Sequence, residues 1–152
     1  MKYLYILFLS AALMACSTTP KNAKTFTDTA IGVPDDKRAV IILYRKTVPP
    51  LAYSVKALVD GNLVAKLPNK SFTWLYVEPG EHEVKFSWPV FALMLGQKKK
   101  VTVEAGRYYF FELGGDMNYA IGTAYITHSV SAGTYQVKAD DVRACCKYIR
   151  AN

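Results

Sequence analysis

The chain has 152 residues, 51% of them apolar, and a formal charge of +7. That length suits one core-bearing domain with a short extension, and no stretch beyond the first fifteen residues is apolar for the roughly 20 residues that a bilayer crossing takes. The basic excess suits anionic surfaces and is scattered apart from Lys98-Lys99-Lys100, and nucleic acid is not an expected partner.

In chain order, Met1-Lys2-Tyr3 supplies one positive charge, Leu4 to Met14 is almost wholly apolar, and Leu13-Met14-Ala15-Cys16 closes the run. A charged start, an apolar core and a small-residue cut describe a secretory signal. Leucine, alanine and cysteine at these positions resemble the lipobox of bacterial lipoproteins. The resemblance implies a diacylglyceryl group on the Cys16 thiol, cleavage after Ala15 and acylation of the freed amine. A single acyl chain holds a protein only marginally, at about 0.8 kcal/mol per buried CH₂, whereas three make a lasting anchor. An ordinary signal peptide that contains a cysteine, or an N-terminal membrane helix, are the competing readings. Ser17 is not the aspartate that resembles an inner-membrane retention signal, which favours the outer membrane, on its periplasmic or surface face.

Residues 1–15 are therefore read as the signal, 16–36 as a lipidated cysteine with a flexible tether, and 37–152 as the folded domain. The segment STTPKNAKTFTDTAIGVPDD at 17–36 has no apolar period, and its twenty residues reach about 65 Å when extended. From Arg38 the period becomes two. Val40, Ile42 and Tyr44 alternate with Ile41, Leu43 and Arg45 in a strand predicted to be buried on both faces. Val55, Ala57 and Val59 form a second strand, Asp60-Gly61-Asn62 a tight hairpin turn, and Leu63 to Leu67 the return. Phe72, Trp74 and Tyr76 share a face of the next strand, Glu78-Pro79-Gly80-Glu81 turns, and Val84, Phe86 and Trp88 face inward. Val101 and Val103, Tyr108 to Leu113, Tyr119 to Thr127, and Tyr135 to Ala139 supply the remaining strands, with a turn at Gly114-Gly115-Asp116. Short strands with turns every eight to twelve residues indicate a mainly β protein, an antiparallel β-sandwich.

Val142, Cys145, Cys146 and Ile149 fall at helical spacing and predict a short C-terminal helix over about 140–150, capped by Asp140 or Asp141. The two cysteines are expected as buried free thiols, because a bridge between neighbours about 3.8 Å apart at Cα needs a strained turn. An intermolecular disulfide is the other outcome in an oxidising compartment.

Three runs stand out: Tyr53 to Phe72, with Asp60-Gly61 and Leu67-Pro68; Val77 to Val84, with Pro79-Gly80-Glu81-His82; and Val103 to Phe110, with Ala105-Gly106-Arg107-Tyr108-Tyr109. Their order resembles a family of small bacterial lipoproteins of unassigned function and is similar to PEGA-type surface modules. The resemblance spans about residues 38–115. It implies an immunoglobulin-like sandwich in the cell envelope and implies no activity.

His82 and His128 stand at no metal-ligand spacing from cysteines or carboxylates, and no nucleophile, phosphate-loop or calcium-loop pattern occurs. No catalytic residue, metal or cofactor is expected beyond the lipid on Cys16. The candidate contact site is Phe91, Leu93, Met94 and Leu95 followed by Lys98, Lys99 and Lys100, able to meet a membrane or a protein partner. The competing reading folds this segment over one end of the sandwich. The sequence thus points to a non-catalytic, lipid-anchored envelope protein, a binding or structural module for an unknown envelope protein or polymer. The alternative is a small envelope hydrolase or ligand-carrier acting on glycan or lipid.

Overall fold

A computed structural model describes residues 18–120, 123–133 and 135–152; Ala15, Cys16 and the signal-like stretch lie outside the described residues. Nine strands are described: β1 (Ala39–Arg45), β2 (Val55–Val59), β3 (Asn62–Leu67), β4 (Ser71–Val77), β5 (Gly80–Ser87), β6 (Gln97–Val103), β7 (Tyr108–Ala120), β8 (Thr123–Gly133) and β9 (Lys147–Tyr148). Helix α1 (Tyr135–Cys145) lies between β8 and β9. The strands form a five-stranded sheet, β8-β7-β1-β4-β9, and a four-stranded sheet, β3-β2-β5-β6.

The two-residue period sorts the side chains into two cores. Ala39, Ile41 and Leu43 meet Val55, Ala57, Leu67, Val84 and Phe86 between the sheets. Val40, Ile42 and Tyr44 point the other way, into a second cluster with Phe72, Phe110, Ala139, Val142 and Phe26. The five-stranded sheet is therefore the middle of three layers, with α1 and the N-terminal segment on its outer face. This explains why β1 reads as apolar on both faces and why all seven of its residues are buried.

The mainly β sandwich with a short C-terminal helix is as expected, but the five-stranded sheet is mixed rather than antiparallel. β1 pairs antiparallel with β4 and parallel with β7. β7 follows β1 only after the chain has crossed the second sheet, and a parallel neighbour requires such a crossover. Gly114-Gly115-Asp116 is not a turn but part of β7. A Cβ on Gly115 would sit 2.7 Å from the Thr127 carbonyl oxygen and 2.9 Å from Val48, so the glycine permits a close approach there. The expected strand over Tyr119 to Thr127 is divided between β7 and β8, which pair from Phe110 opposite Gly133 to Ala120 opposite Thr123.

The helix begins at Tyr135, where a strand was expected, and ends at Cys145 instead of about residue 150. Asp140 and Asp141 consequently sit inside it; Asp140 pairs with Arg143 at 2.6 Å. Cys145 and Cys146 are joined to each other, which corrects the free-thiol expectation. The helix gives way to β9 at this point, and that change of direction supplies the turn a vicinal pair requires.

The segment expected as a tether lies along the outer face. Thr18 bridges Asn69 and Thr25 bridges Lys147. Phe26 is buried against Phe72, with ring centroids 5.4 Å apart, and the Arg143 guanidinium lies 5.5 Å from its ring centre. Polar composition concealed this because two isolated apolar side chains, Phe26 and Ile31, rather than a periodic stripe, do the docking. Phe26→Ala is expected to lower unfolding free energy by about 3 kcal/mol in urea denaturation, as for a buried aromatic. A free tether would show no measurable loss.

Candidate functional site

One end of the molecule gathers the ends of both sheets. In the four-stranded sheet Val55 pairs with Leu67, Lys56 with Ser87 and Phe86 with Gln97, so the connections 46–54, 68–70 and 88–96 all leave that end. In the other sheet Arg45 stands opposite Ser71 and beside Leu113 at the same level. β7 continues past Arg45 to Ala120.

Arg45 organises this end. It continues the inward-facing set Ala39, Ile41 and Leu43, so its guanidinium enters the sandwich, fully buried. One Nη atom donates to the carbonyls of Tyr53 at 2.6 Å and Leu67 at 3.1 Å, the other to those of Val48 at 2.6 Å and Pro50 at 3.1 Å. The group also lies 4.8 Å from the centre of the Trp88 ring. Burial lowers its pKa to about 10, which leaves it charged at neutral pH. Asn69 completes the connections. Its Oδ1 accepts from Val48 N at 2.9 Å, its Nδ2 donates to the Leu51 carbonyl at 3.1 Å, and its own carbonyl accepts from Thr19 Oγ1 at 2.6 Å. His128 Nε2 donates to the Pro49 carbonyl at 2.7 Å, which ties the β7–β8 hairpin to the same connection.

The 88–96 connection presents the candidate contact. Val90–Ala92 forms a single 3-10 turn, and Leu93 adopts a left-handed backbone at φ 51°. Val90, Phe91, Leu93 and Leu95 are exposed at 85%, 86%, 91% and 85%, whereas Met94 and Ala92 pack against the core between the sheets. Four large apolar side chains in water forgo roughly 6–12 kcal/mol relative to full burial, taking about 1.5–3 for each. Contiguous exposed apolar side chains are, as a class, more common at contact sites than on the remaining surface of soluble proteins.

The lysines behave differently from the sequence expectation. Strand alternation separates them: Lys98 pairs with Glu83 at 3.1 Å and Lys100 with Glu81 at 2.9 Å, while Lys99 falls between them in β6. They lie on an edge strand, where lysines also obstruct pairing with another sheet. The apolar side chains, not a concentrated ammonium cluster, are the distinctive feature of this loop.

Two polar clusters lie elsewhere. At the opposite end, His82 Nδ1 is 2.6 Å from Asp60 Oδ2, and Nε2 is 2.8 Å from the Glu78 carbonyl. Asp60 Oδ1 also accepts from Glu83 N at 2.8 Å. Asp-Gly and Pro-Gly-x-His are thereby locked to each other, which gives both motifs an architectural role. On the outer face, Glu112 accepts from Lys138 at 2.7 Å and Tyr44 at 2.8 Å and lies 3.4 Å from Lys46. Asp141 of α1 stands 3.2 Å from Lys46, so the cluster fastens the helix to β1 and β7. Burial opposes ionisation of Glu112, but the bonds from Lys138 and Tyr44 and the nearby ammoniums hold its pKa below the usual value. Burial, then the facing carboxylate, raises that of Tyr44. The sequence reading missed both Arg45 and Glu112 as organising groups; a polar Tyr-Arg pair closing an otherwise apolar strand was the available signal.

Among the described residues, no group of three or more His, Cys, Asp or Glu is placed to hold a metal ion. A hollow of about 410 Å³ is lined by Thr18, Thr19, Leu51, Asn69, Lys70 and Cys145, among others. Another of about 350 Å³ lies beside Phe26, Tyr108, Tyr135 and Arg143. Neither is lined by Glu112 or His82.

Both partners of the His82 ring accept, so full bonding requires the imidazolium. Burial pulls the ring's pKa down, but the bonds to Asp60 and Glu78 and the Asp60 charge outweigh it and leave it raised. The resulting stabilisation is complete below about pH 6.5 and is lost as pH climbs through the raised value. The melting temperature is expected to fall across that window, and the fall to disappear in His82→Gln. An equal fall in both proteins would reject the assignment.

Comparison with curated proteins and with solved structures gave no match. A family model described as a protein of unknown function, DUF2846, matches residues 35–123, from the turn before β1 to the first residue of β8. That span holds seven complete strands, the Asp60–His82 lock, Arg45 and the apolar loop, and omits α1 and the N-terminal segment. The chain belongs to the DUF2846 family of proteins of unknown function.

Proposed function

We propose that this protein is a non-catalytic, lipid-anchored component of the cell envelope, a binding or structural module held close to a membrane. The reading joins the Leu13-Met14-Ala15-Cys16 pattern to one structural observation. Thr18, two residues after Cys16, is bridged to Asn69, and Thr19 is hydrogen-bonded to the same residue. Two residues span at most about 7 Å. Acyl chains on Cys16 would hold the domain beside the bilayer, not at the end of a tether of about 65 Å. Three chains supply a lasting attachment, and Ser17 favours the outer membrane, on its periplasmic or surface face. The partner classes are the membrane itself, through the lipid, and an envelope protein or polymer.

The hydrolase or ligand-carrier reading draws no support from the Glu112 cluster. Its carboxylate is engaged by Lys138, Tyr44 and Lys46 and serves to seat α1. Cells grown with labelled palmitate are expected to incorporate the label into the parent chain, and Cys16→Ala is expected to lose both label and membrane fractionation. An unlabelled parent, or a variant that keeps the label, would contradict the proposal.

A further inference from the structure

The N-terminal segment fixes a direction as well as a distance. It starts at Thr18 beside Asn69, passes Lys147 at Thr25, and packs Phe26 on Phe72 and Phe110. It then reaches the opposite end, where Asp35 N donates to the Arg38 carbonyl at 3.1 Å, and β1 carries the chain back. The first described residue therefore stands at the same end as the exposed apolar loop. Leu67 and Ser87 are two strands apart in the order β3-β2-β5, or about 10 Å at the usual spacing of nearly 5 Å. The loop base and the place where the chain enters thus belong to the same end of the sandwich.

Other features of this end agree. Leu51 is an exposed apolar side chain on the connection that Asn69 holds. The β7–β8 hairpin continues beyond Arg45, where Met117, Asn118, Ile126 and Thr127 carry no charge. Lys70, in the connection that carries Asn69, lines the same hollow as Leu51 and places a cationic group at this end. The opposite end is richer in charged and polar groups: its turns carry Asp60, Asn62, Glu78, Glu81 and Arg107, and its exposed apolar side chains, Leu63 and Val33, are isolated in sequence.

From this placement we propose that Val90, Phe91, Leu93 and Leu95 form a second membrane contact, which seats the domain end-on, apolar loop down, on the bilayer that holds Cys16. The inference rests on the lipid-anchor reading and extends it from a tethered domain to an oriented one. The occupant of the patch is the lipid surface: the acyl region takes the four side chains, and with Lys98 and Lys100 paired to Glu83 and Glu81 the apolar side chains carry the contact. A 3-10 turn with a left-handed Leu93 holds these side chains outward while Met94 and Ala92 fix the loop to the core. Arg45, bonded to both flanking connections and stacked near Trp88, keeps the loop base rigid.

Phe91→Trp and, as a far-end control, Asn62→Trp can be prepared in the full lipidated chain. Each is reconstituted in phosphatidylethanolamine–phosphatidylglycerol vesicles with or without lipids brominated in the acyl chain, and the parent's own tryptophan emission is subtracted. The indole at 91 is expected to lose most of its emission to the brominated lipids and to shift blue, while the indole at 62 is unaffected. Palmitate label measured on the same samples reports the anchor separately. A labelled chain whose indole at 91 stays unquenched, or whose two indoles are quenched alike, overturns the end-on contact and leaves the anchor standing. An indole at 91 that is unquenched on vesicles but shielded in whole cells assigns the loop to a protein partner and also overturns the proposal. An unlabelled chain overturns the anchor reading, and the end-on contact with it.

Discussion

A single buried guanidinium determines how one end of this protein is built. Arg45 stands where the β1 alternation delivers a side chain into the gap between the sheets, and four backbone carbonyls converge on it, three from the 46–54 connection and one from the end of β3. Each of those carbonyls belongs to irregular chain or to a strand end, where no ladder partner is assured, and the two Nη groups satisfy them, while the buried Nε has no hydrogen-bond partner. No carboxylate is needed. Removing the cation would leave several buried acceptors unpaired at once, a change of the kind that costs several kcal/mol. Through Trp88 and through the 46–54 connection, this one group governs the geometry of the apolar loop and of the place where the N-terminal segment meets the domain.

The second constraint is the middle position of the five-stranded sheet. A sheet covered on both faces needs a second lid, and α1 alone leaves part of the outer face open. Phe26 and Ile31 of the N-terminal segment complete the cover over Phe72, Phe110 and Tyr76. The same packing that buries those rings takes up the slack that a lipid-anchored domain would otherwise have. On the proposed anchor, core packing and membrane distance would be coupled in one segment.

Much of this was legible in the residues. The double burial of β1, the Asp60-Gly61 hairpin and the aromatic faces of β4 follow from period and turn chemistry, and the structure has them where expected. Phe91, Leu93 and Leu95 are exposed, whereas Met94 turns inward and Lys98 and Lys100 are paired with glutamates. The misses share a physical origin. Tyr135 to Ala139 has β-favouring residues but becomes helix, because only a helix buries Ala139 and Val142 together on the outer face. Local composition could not reveal that Phe26 would find a site, that β7 would return parallel to β1, or that Gly115 marks a close approach inside a strand. Each depends on residues distant in sequence.

In the proposed orientation the two ends of the sandwich are unequal: one would face lipid, and the other, with the Asp60–His82 lock, water. Hydrogen–deuterium exchange of the lipidated chain on bilayers, relative to the Cys16→Ala chain free in solution, measures that inequality directly. Slowed exchange confined to residues 46–54 and 88–96, with the turns at 60–62 and 79–81 unchanged, is the predicted result. Slowing at the His82 end, or at neither end, would contradict it.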